Sequence, residues 1–466
     1  MSVALWWLRR DLRLTDQPAL AAASAADRVI PVFCLDRRLL GGRHRSGART
    51  QFLLECLRDV DRSLRSRGSR LVIADGDPAR ELARLAADVR AESVHACADV
   101  GPYARRRDDA ARRALREAGA ELCLHPGLFA IDDPSSVRTR EGRPYTVFTP
   151  YYRAWSQARR RKPVAPASPL PPLPSRVRVG RIPTLDALGL HQPLSEPSPG
   201  GEGAGRALLD SFLAAGVGRY DERRNVLAQR GTSSLSPYLH FGCVSARELE
   251  QALPHGSGAD ELRRQLCWRD FYAQVLQAFP RNARSEHQQR YRGTLRWSRA
   301  RRRFDAWRDG RTGYPIVDAA MRQLRREGCI HNRGRLIAGS FLTKDLGIDW
   351  RWGERWFMEL LLDGDEASNN GNWQWIASVG VDPQPPARRI LSPMRQQQRF
   401  DPAGDYVRRY VPELGRVPDE YLAQPWTMPP DVQRAASCQI GHDYPAPIVD
   451  HAQARLEALA RYRAAR

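Results

Sequence analysis

Between Leu360 and Trp375 the chain reads LLLDGDEASNNGNWQW, which sets two carboxylates (Asp363, Asp365), two adjacent amides (Asn369, Asn370) and two indoles (Trp373, Trp375) within thirteen positions. Carboxylates and amides address polar edges and indoles offer flat walls, so the mixture suits a planar, polar ligand. A capped turn followed by core tryptophans is the competing reading.

Three other stretches carry chemistry. GTSSLSPYLHFG (231–242) gathers Thr232, Ser233, Ser234 and Ser236 just ahead of Pro237, where a helix can start. Hydroxyls and free backbone N–H groups at a helix N-terminus hold anions, and a diphosphate fits that chemistry; a plain N-cap cluster is the alternative. In ELRRQLCWRDFYAQVLQAF (261–279), Gln265, Trp268 and Tyr272 share one helix face at i, i+3 and i+7, with Arg269 beside them. A buried core stripe is the default reading of such a face; glutamine beside tryptophan, where leucine would pack better, points instead to a cavity wall. GCIHNRGRLIAGSFLTKDL (328–346) places His331, Asn332 and Arg333 together, sets Asn332 and Leu336 one turn apart, and offers Arg335 as a partner for Asp363 or Asp365; a solvated polar face is the alternative. Trp297, Trp350, Trp373 and Trp375 either fill a core or pass an electron.

Several chemistries are excluded. The first strand–helix junction, LRRDLRLTD, lacks Gly-x-Gly-x-x-Gly, and the only lysines, Lys162 and Lys344, follow no glycine, so neither a dinucleotide fingerprint nor a Walker loop is present. No Gly-x-Ser-x-Gly and no His-Glu-x-x-His occurs. The eight cysteines include no pair two to four residues apart, which predicts no metal centre, no disulfide scaffold and a reducing, cytoplasmic setting.

The elements that must position these residues fall into two classes. Short β-type runs at 3–8, 28–35, 70–74, 93–98 and 121–125 alternate with amphipathic runs near 16–25, 49–67, 79–90 and 105–118. Such alternation predicts a Rossmann-like, doubly wound parallel sheet over residues 1–130. KPVAPASPLPPLPS (162–175) and PLSEPSPGGEGAG (193–205) cannot hold long helices, so 131–205 reads as an interdomain linker. Beyond it, 206–466 carries helical periodicity almost alone, and the fold class is α/β followed by all-α. Lys and Arg exceed Asp and Glu to a net charge of +21, which points to a polyanionic partner, most simply nucleic acid. The apolar start Val3–Leu8 is too short for a signal peptide and no run of about 18 apolar residues exists, so a soluble protein without membrane attachment is expected.

LWWLRRDLRLTD (5–16), GTSSLS (231–236), CWRDFY (267–272), GYPIVDAAMRQL (313–324), IHNRGRLIAGSFLTKDL (330–346) and LDGDEASNNGNWQW (362–375) resemble, in this order, the photolyase/cryptochrome flavoprotein family. The likeness is strongest to its microbial class I cyclobutane pyrimidine dimer (CPD) photolyases. The resemblance implies FAD in the helical domain, held by Tyr220, Thr232, Ser233, Ser234, Leu235, Ser236, Arg269, Asn332, Arg335, Asp363, Asp365 and Asn369. Asn369 would face flavin N5, where an uncharged amide tolerates an anionic reduced flavin. It also implies UV-damaged DNA as partner, with the dimer flipped out of the duplex. The catalytic set is then Gln265, Trp268, Asn332, Asn369 and Trp375, with Trp268 and Trp375 as the two aromatic walls. Arg224, Gln265, Trp268, Arg333, Trp375 and Gln396 would bind DNA, and Trp373, Trp350 and Trp297 would relay an electron to the flavin.

Gln265 stands where CPD enzymes typically carry glutamate. Asn332 and Leu336 stand where enzymes that repair 6-4 photoproducts carry histidines, Leu336 also replaces a methionine, and Cys329 replaces a tryptophan. Of the positions that contact folate in antenna-bearing relatives (here His44, Tyr103, Ala104, Ala283 and Arg284), only His44 suits it. A deazaflavin, another flavin or no second chromophore stay open. A monomeric CPD repair enzyme is the first expectation; a blue-light receptor without repair and a 6-4 photolyase are the alternatives.

Overall fold

The computed structural model describes residues 1–165, 170–229, 231–382 and 384–465. Five strands, β1 (Val3–Leu8), β2 (Arg28–Leu35), β3 (Val72–Asp75), β4 (Ser93–Cys97) and β5 (Glu121–His125), form one sheet in the order β3-β2-β1-β4-β5. Every pairing is parallel. Helices α1 (Pro18–Ala23), α2 (Gly47–Arg65), α3 (Pro78–Val89) and α4 (Pro102–Glu117) make the crossovers. Three of them begin on proline, whose missing N–H costs nothing at the first helical position. All six residues of β1 are buried, because a parallel sheet is covered on both faces and needs apolar side chains in both directions. Trp6 and Leu8 point into the cluster that continues through the helical domain, while Val3, Leu5 and Trp7 belong to a separate cluster on the other face.

The 131–205 stretch is more than a linker, although 166–169 lie outside the described residues. It contains α5 (Phe148–Gln157), which buries Phe148, Tyr151 and Trp155. These three fall at i, i+3 and i+7, an apolar stripe that a proline-centred reading overlooks. Trp155 Nε1 donates to the buried Asp270 carboxylate at 3.0 Å, which locks α5 onto the helix that carries CWRDFY. The next helix, α6 (Glu202–Ala215), anchors to the α/β part: its Glu202 carboxylate accepts from Leu14 N (2.8 Å) and Thr15 N (3.2 Å).

The rest of the chain is helical; among the described residues no strand follows β5. The helices that matter for the site are α7 (Ser257–Ala278), α8 (Pro315–Glu327), α9 (Asn332–Ser340), α10 (Trp350–Leu360), α11 (Glu366–Ile376) and α12 (Pro393–Phe400). A π-helical turn, Phe341–Asp345, follows α9 and delivers the buried Lys344 to the C-terminal end of α11. There its ammonium donates to Ala377 O (3.1 Å), Ser378 Oγ (3.0 Å) and Tyr462 OH (2.7 Å). Among the described residues no helix is long and apolar enough to cross a membrane.

Candidate active site

A cavity of about 330 Å³ opens between α7, α9, α11 and the hydroxyl-rich 232–236 loop. Asp365 caps α11 by accepting from Ser368 N at 2.8 Å, so the Asp-Gly-Asp turn sits at the helix mouth and both carboxylates border the cavity. The two adjacent asparagines divide their work. Asn369 lines the cavity and spends its NH₂ on Glu354 O at 3.0 Å, which leaves its Oδ1 as a free acceptor. Asn370 points away, donating to Glu354 Oε1 (3.0 Å) and accepting from Gln374 Nε2 (3.1 Å). Gly371 is required by contact: a Cβ there would stand 2.1 Å from Tyr272 Cδ1. We expect Gly371→Ala to push Tyr272 toward the cavity, costing about 1–3 kcal/mol of overpacking, read as a lower urea midpoint of the purified variant.

The polar walls are ion-paired. Arg335 Nη2 meets Asp363 Oδ2 at 2.8 Å, one of the two pairings open to it. Asp365 Oδ2 takes Arg10 Nη1 at 2.7 Å, and Arg10 also grips Asp99 at 2.7 and 2.9 Å. Burial by itself raises the Asp365 carboxyl; Arg10 outweighs that, with His240 and the Ser368 N–H helping, and holds it at about 2. A carboxyl depressed in the folded chain contributes stability that is complete above its unfolded value near 4 and is lost as pH falls through about 2. Asp365→Asn should therefore cost about 2 kcal/mol at pH 7, and its difference from wild type in urea midpoints should shrink below pH 4.

His240, Arg269 and Asp365 border this cavity and also a second one of about 310 Å³, and so form a shared partition. Burial, reinforced by Arg10, pushes the His240 ring down to about 3, so it is neutral at physiological pH. Arg269 spends its guanidinium on Leu128 O (2.5 Å) and Leu239 O (3.1 Å). Asp363 Oδ1, His240 Nδ1 and His331 Nε2 are buried with no partner among the described residues. Buried polar atoms are nearly always paired, so a ligand rich in hydroxyls and ring nitrogens fits this wall. The loop agrees: Tyr220, Thr232, Ser233, Ser234, Leu235 and Ser236 all line the cavity, and Ser234 adopts φ 50°.

At the open edge stand Gln265, Trp268, Asn332 and Leu336. Phe148 of α5 stacks on one face of Trp268 with ring centroids 3.6 Å apart and planes within 3°, a contact the sequence reading missed. Arg224 pairs with Glu261, and Arg333 donates to Asn225 Oδ1 at 3.0 Å while lying 4.1 Å over Phe400 of α12, the helix that carries Gln396. None of these three DNA candidates borders the cavity itself. Trp375 does not border it either, contrary to its expected place as the second wall. Its Nε1 donates to Asp382 Oδ2 at 3.1 Å and Arg389 sits 4.2 Å over its half-buried ring, because the turn of α11 that aims Trp373 at the cavity carries Trp375 away from it. Tyr272 lines the cavity on that side.

Trp373 is buried over Gly353, where a Cβ would lie 2.2 Å from its Cη2. Its ring neighbours are Phe357 (centroids 5.0 Å) and Trp307 (6.2 Å) rather than Trp350. Trp350 is buried beneath Arg351, and Trp297 is half-buried beside Arg461.

The second cavity lies at the C-terminal edge of the sheet, where strand order reverses between β1 and β4. Trp7, Phe33 and Phe241 give it apolar walls, and His44, Tyr103 and Ala104 border it. Ala283 and Arg284 do not; their carbonyls accept from Arg43 and Arg351.

Comparison with known proteins agrees with this geometry. Residues 4–174 match the family described as DNA photolyase, and residues 262–464 match the FAD binding domain of DNA photolyase. A deoxyribodipyrimidine photo-lyase of Streptomyces griseus is 42% identical, with 98% of each chain covered. The crystal structure of a class III photolyase from Agrobacterium tumefaciens superposes with a TM-score of 0.91 at 36% identity, covering 100% of this chain and 98% of that one. An archaeal photolyase from Sulfolobus tokodaii, solved with two FAD molecules, gives a TM-score of 0.85 at 32% identity over 99% of both chains. Matched from end to end in sequence and fold, the chain belongs to the photolyase/cryptochrome family.

Proposed function

We propose that this chain splits cyclobutane pyrimidine dimers in UV-damaged DNA, driven by light that FAD absorbs in the 330 Å³ cavity. One observation carries the reading: a single cavity is walled on one side by ion-paired carboxylates and a hydroxyl loop, and on the other by half-buried Trp268 and Gln265 with exposed Asn332. Reduced FAD, when bound, supplies the photoexcited electron that opens the dimer and receives it back. Everything else falls to the side chains. Asp363, fixed by Arg335, keeps one carboxylate oxygen for ligand hydroxyl or ring N–H donors. Asn369 offers Oδ1, a neutral acceptor that suits a protonated ring nitrogen. Trp268, backed by Phe148, stacks an extruded base on its free face, and Gln265 and Asn332 meet the base edges. Arg224 and Arg333 reach phosphates, which makes attachment salt-sensitive and independent of sequence, in keeping with the +21 charge.

The test is light-dependent loss of thymine dimers from an irradiated oligonucleotide, followed by chromatography, with a 6-4 substrate in parallel. Repair of the dimer alone is the expected result. Repair of neither lesion by flavin-loaded protein would leave the light-receptor reading, and repair of the 6-4 lesion would change the substrate. We further propose that the protein acts as a monomer in the cytoplasm. The 310 Å³ cavity, with its aromatic walls beside the partition, suits a second flavin or a deazaflavin as antenna. Acid release and chromatography of the bound chromophores should yield either a second fluorescent ring system or two flavins per chain, and one FAD per chain with nothing else would refute it.

A further inference from the structure

We propose that Glu261 is a positioning residue for lesion recognition: it fixes the Gln265 amide in one orientation and restrains Arg224, and thereby widens the gap in affinity between a dimer and intact DNA. The proposal rests on the reading of Gln265 as a lesion contact. Glu261 lies one turn ahead of Gln265 on α7, and Gln265 Nε2 donates to Glu261 Oε1 at 2.8 Å. The same oxygen pairs with Arg224 Nη1, while Arg264 Nε stands 3.6 Å from Oε2. The two ends of the Gln265 amide are not interchangeable, because a carboxylate only accepts and so selects the NH₂ end.

Two consequences follow from that arrangement. Gln265 Oε1 is left as a fixed acceptor on the cavity edge, the complement of the ring N–H that a pyrimidine carries between two carbonyls. An amide free to turn over would offer its NH₂ there about as readily, and a donor facing a donor repels. Arg224 meanwhile is neutralised in the free chain, so it adds little to the general attraction for phosphate until DNA competes for it. One carboxylate therefore does two things: it sharpens the contact with the lesion and mutes the contact with everything else. No other acidic side chain among the described residues contacts Gln265 or Arg224.

The experiment compares Glu261→Ala, Glu261→Gln, Gln265→Ala and the exchanged pair Glu261→Gln with Gln265→Glu, all as FAD-loaded full-length protein. Dissociation constants are measured for an oligonucleotide with one thymine dimer and for its undamaged copy over a range of salt, together with KM and kcat of repair; flavin absorbance per protein checks that α7 is intact. Both Glu261 variants should lose about tenfold in the ratio of the two affinities, the worth of one charge-assisted hydrogen bond. Intact DNA should bind them more tightly, with a salt slope steeper by about one phosphate contact. KM should rise while kcat holds. The exchanged pair restores one carboxylate and one amide in contact and should recover most of the ratio. An unchanged ratio in Glu261→Ala alongside a reduced one in Gln265→Ala overturns the role of Glu261, as does a loss that the exchange fails to recover. An unchanged ratio in Gln265→Ala overturns the reading of Gln265 itself.

Discussion

Trp373→Phe, supplied with chemically reduced FAD, repairs dimers at the wild-type rate, yet the same variant purified in the oxidised state fails to become reduced under light. That is the expected result, and it follows from the position of Trp373. Its indole is buried at the cavity wall, seated on Gly353 and held at its edges by Phe357 and Trp307. An indole gives up an electron far more readily than a benzene ring of similar shape, so the substitution preserves packing and removes the donor. The photoreduction rate should fall by more than about a hundredfold, equivalent to roughly 2.7 kcal/mol of added barrier. Ordinary photoreduction in this variant would exclude Trp373 as the immediate donor. The route beyond it is open to the same assay. Trp350→Phe slows photoreduction if the electron comes through Trp350 and Trp297; Trp307→Phe slows it if the edge contact at 6.2 Å is the path instead.

The second large effect is on the substrate. Trp268→Ala should weaken binding of a dimer-containing oligonucleotide by about 1–3 kcal/mol, the worth of one base on one aromatic ring, while binding of intact DNA stays within error because phosphate contacts are untouched. Trp268 has one face against Phe148, so the other is presented without a search through rotamers. Phe148→Ala should consequently produce a smaller loss in the same direction, by letting that ring move. Equal loss for damaged and intact DNA would point to a general effect on α7 rather than to a lesion platform.

Much of this was legible in the chain and some of it was not, for definite reasons. The five strands and their crossover helices follow from period and burial alone, since a strand covered on both faces must be apolar throughout, as VALWWL is. Asp363, Asp365 and Asn369 were identifiable because turn chemistry, amides and indoles crowd into one short segment whose local geometry is set by Asp365 as N-cap. The sequence offers Arg335 two carboxylate partners, and the 2.8 Å ion pair of the folded chain decides for Asp363. Asn370 looks equivalent to Asn369 in sequence, but a helix turns adjacent residues about 100° apart, so Asn369 borders the cavity while Asn370 turns to the Glu354 carboxylate and Gln374.

Composition and period determined the two-part α/β and helical architecture, the basic charge and the segments in which the chemistry is concentrated. The tertiary structure alone decided which side chains share a wall. Arg10 meets Asp365 across 355 positions, Phe148 backs Trp268 from a stretch that reads as linker, and Trp375 turns away from the cavity two residues after Trp373 turns to it. Period and propensity report what a residue does with its neighbours along an element. A cavity is made by elements from distant parts of the chain, and contacts across it leave no pattern in the local sequence.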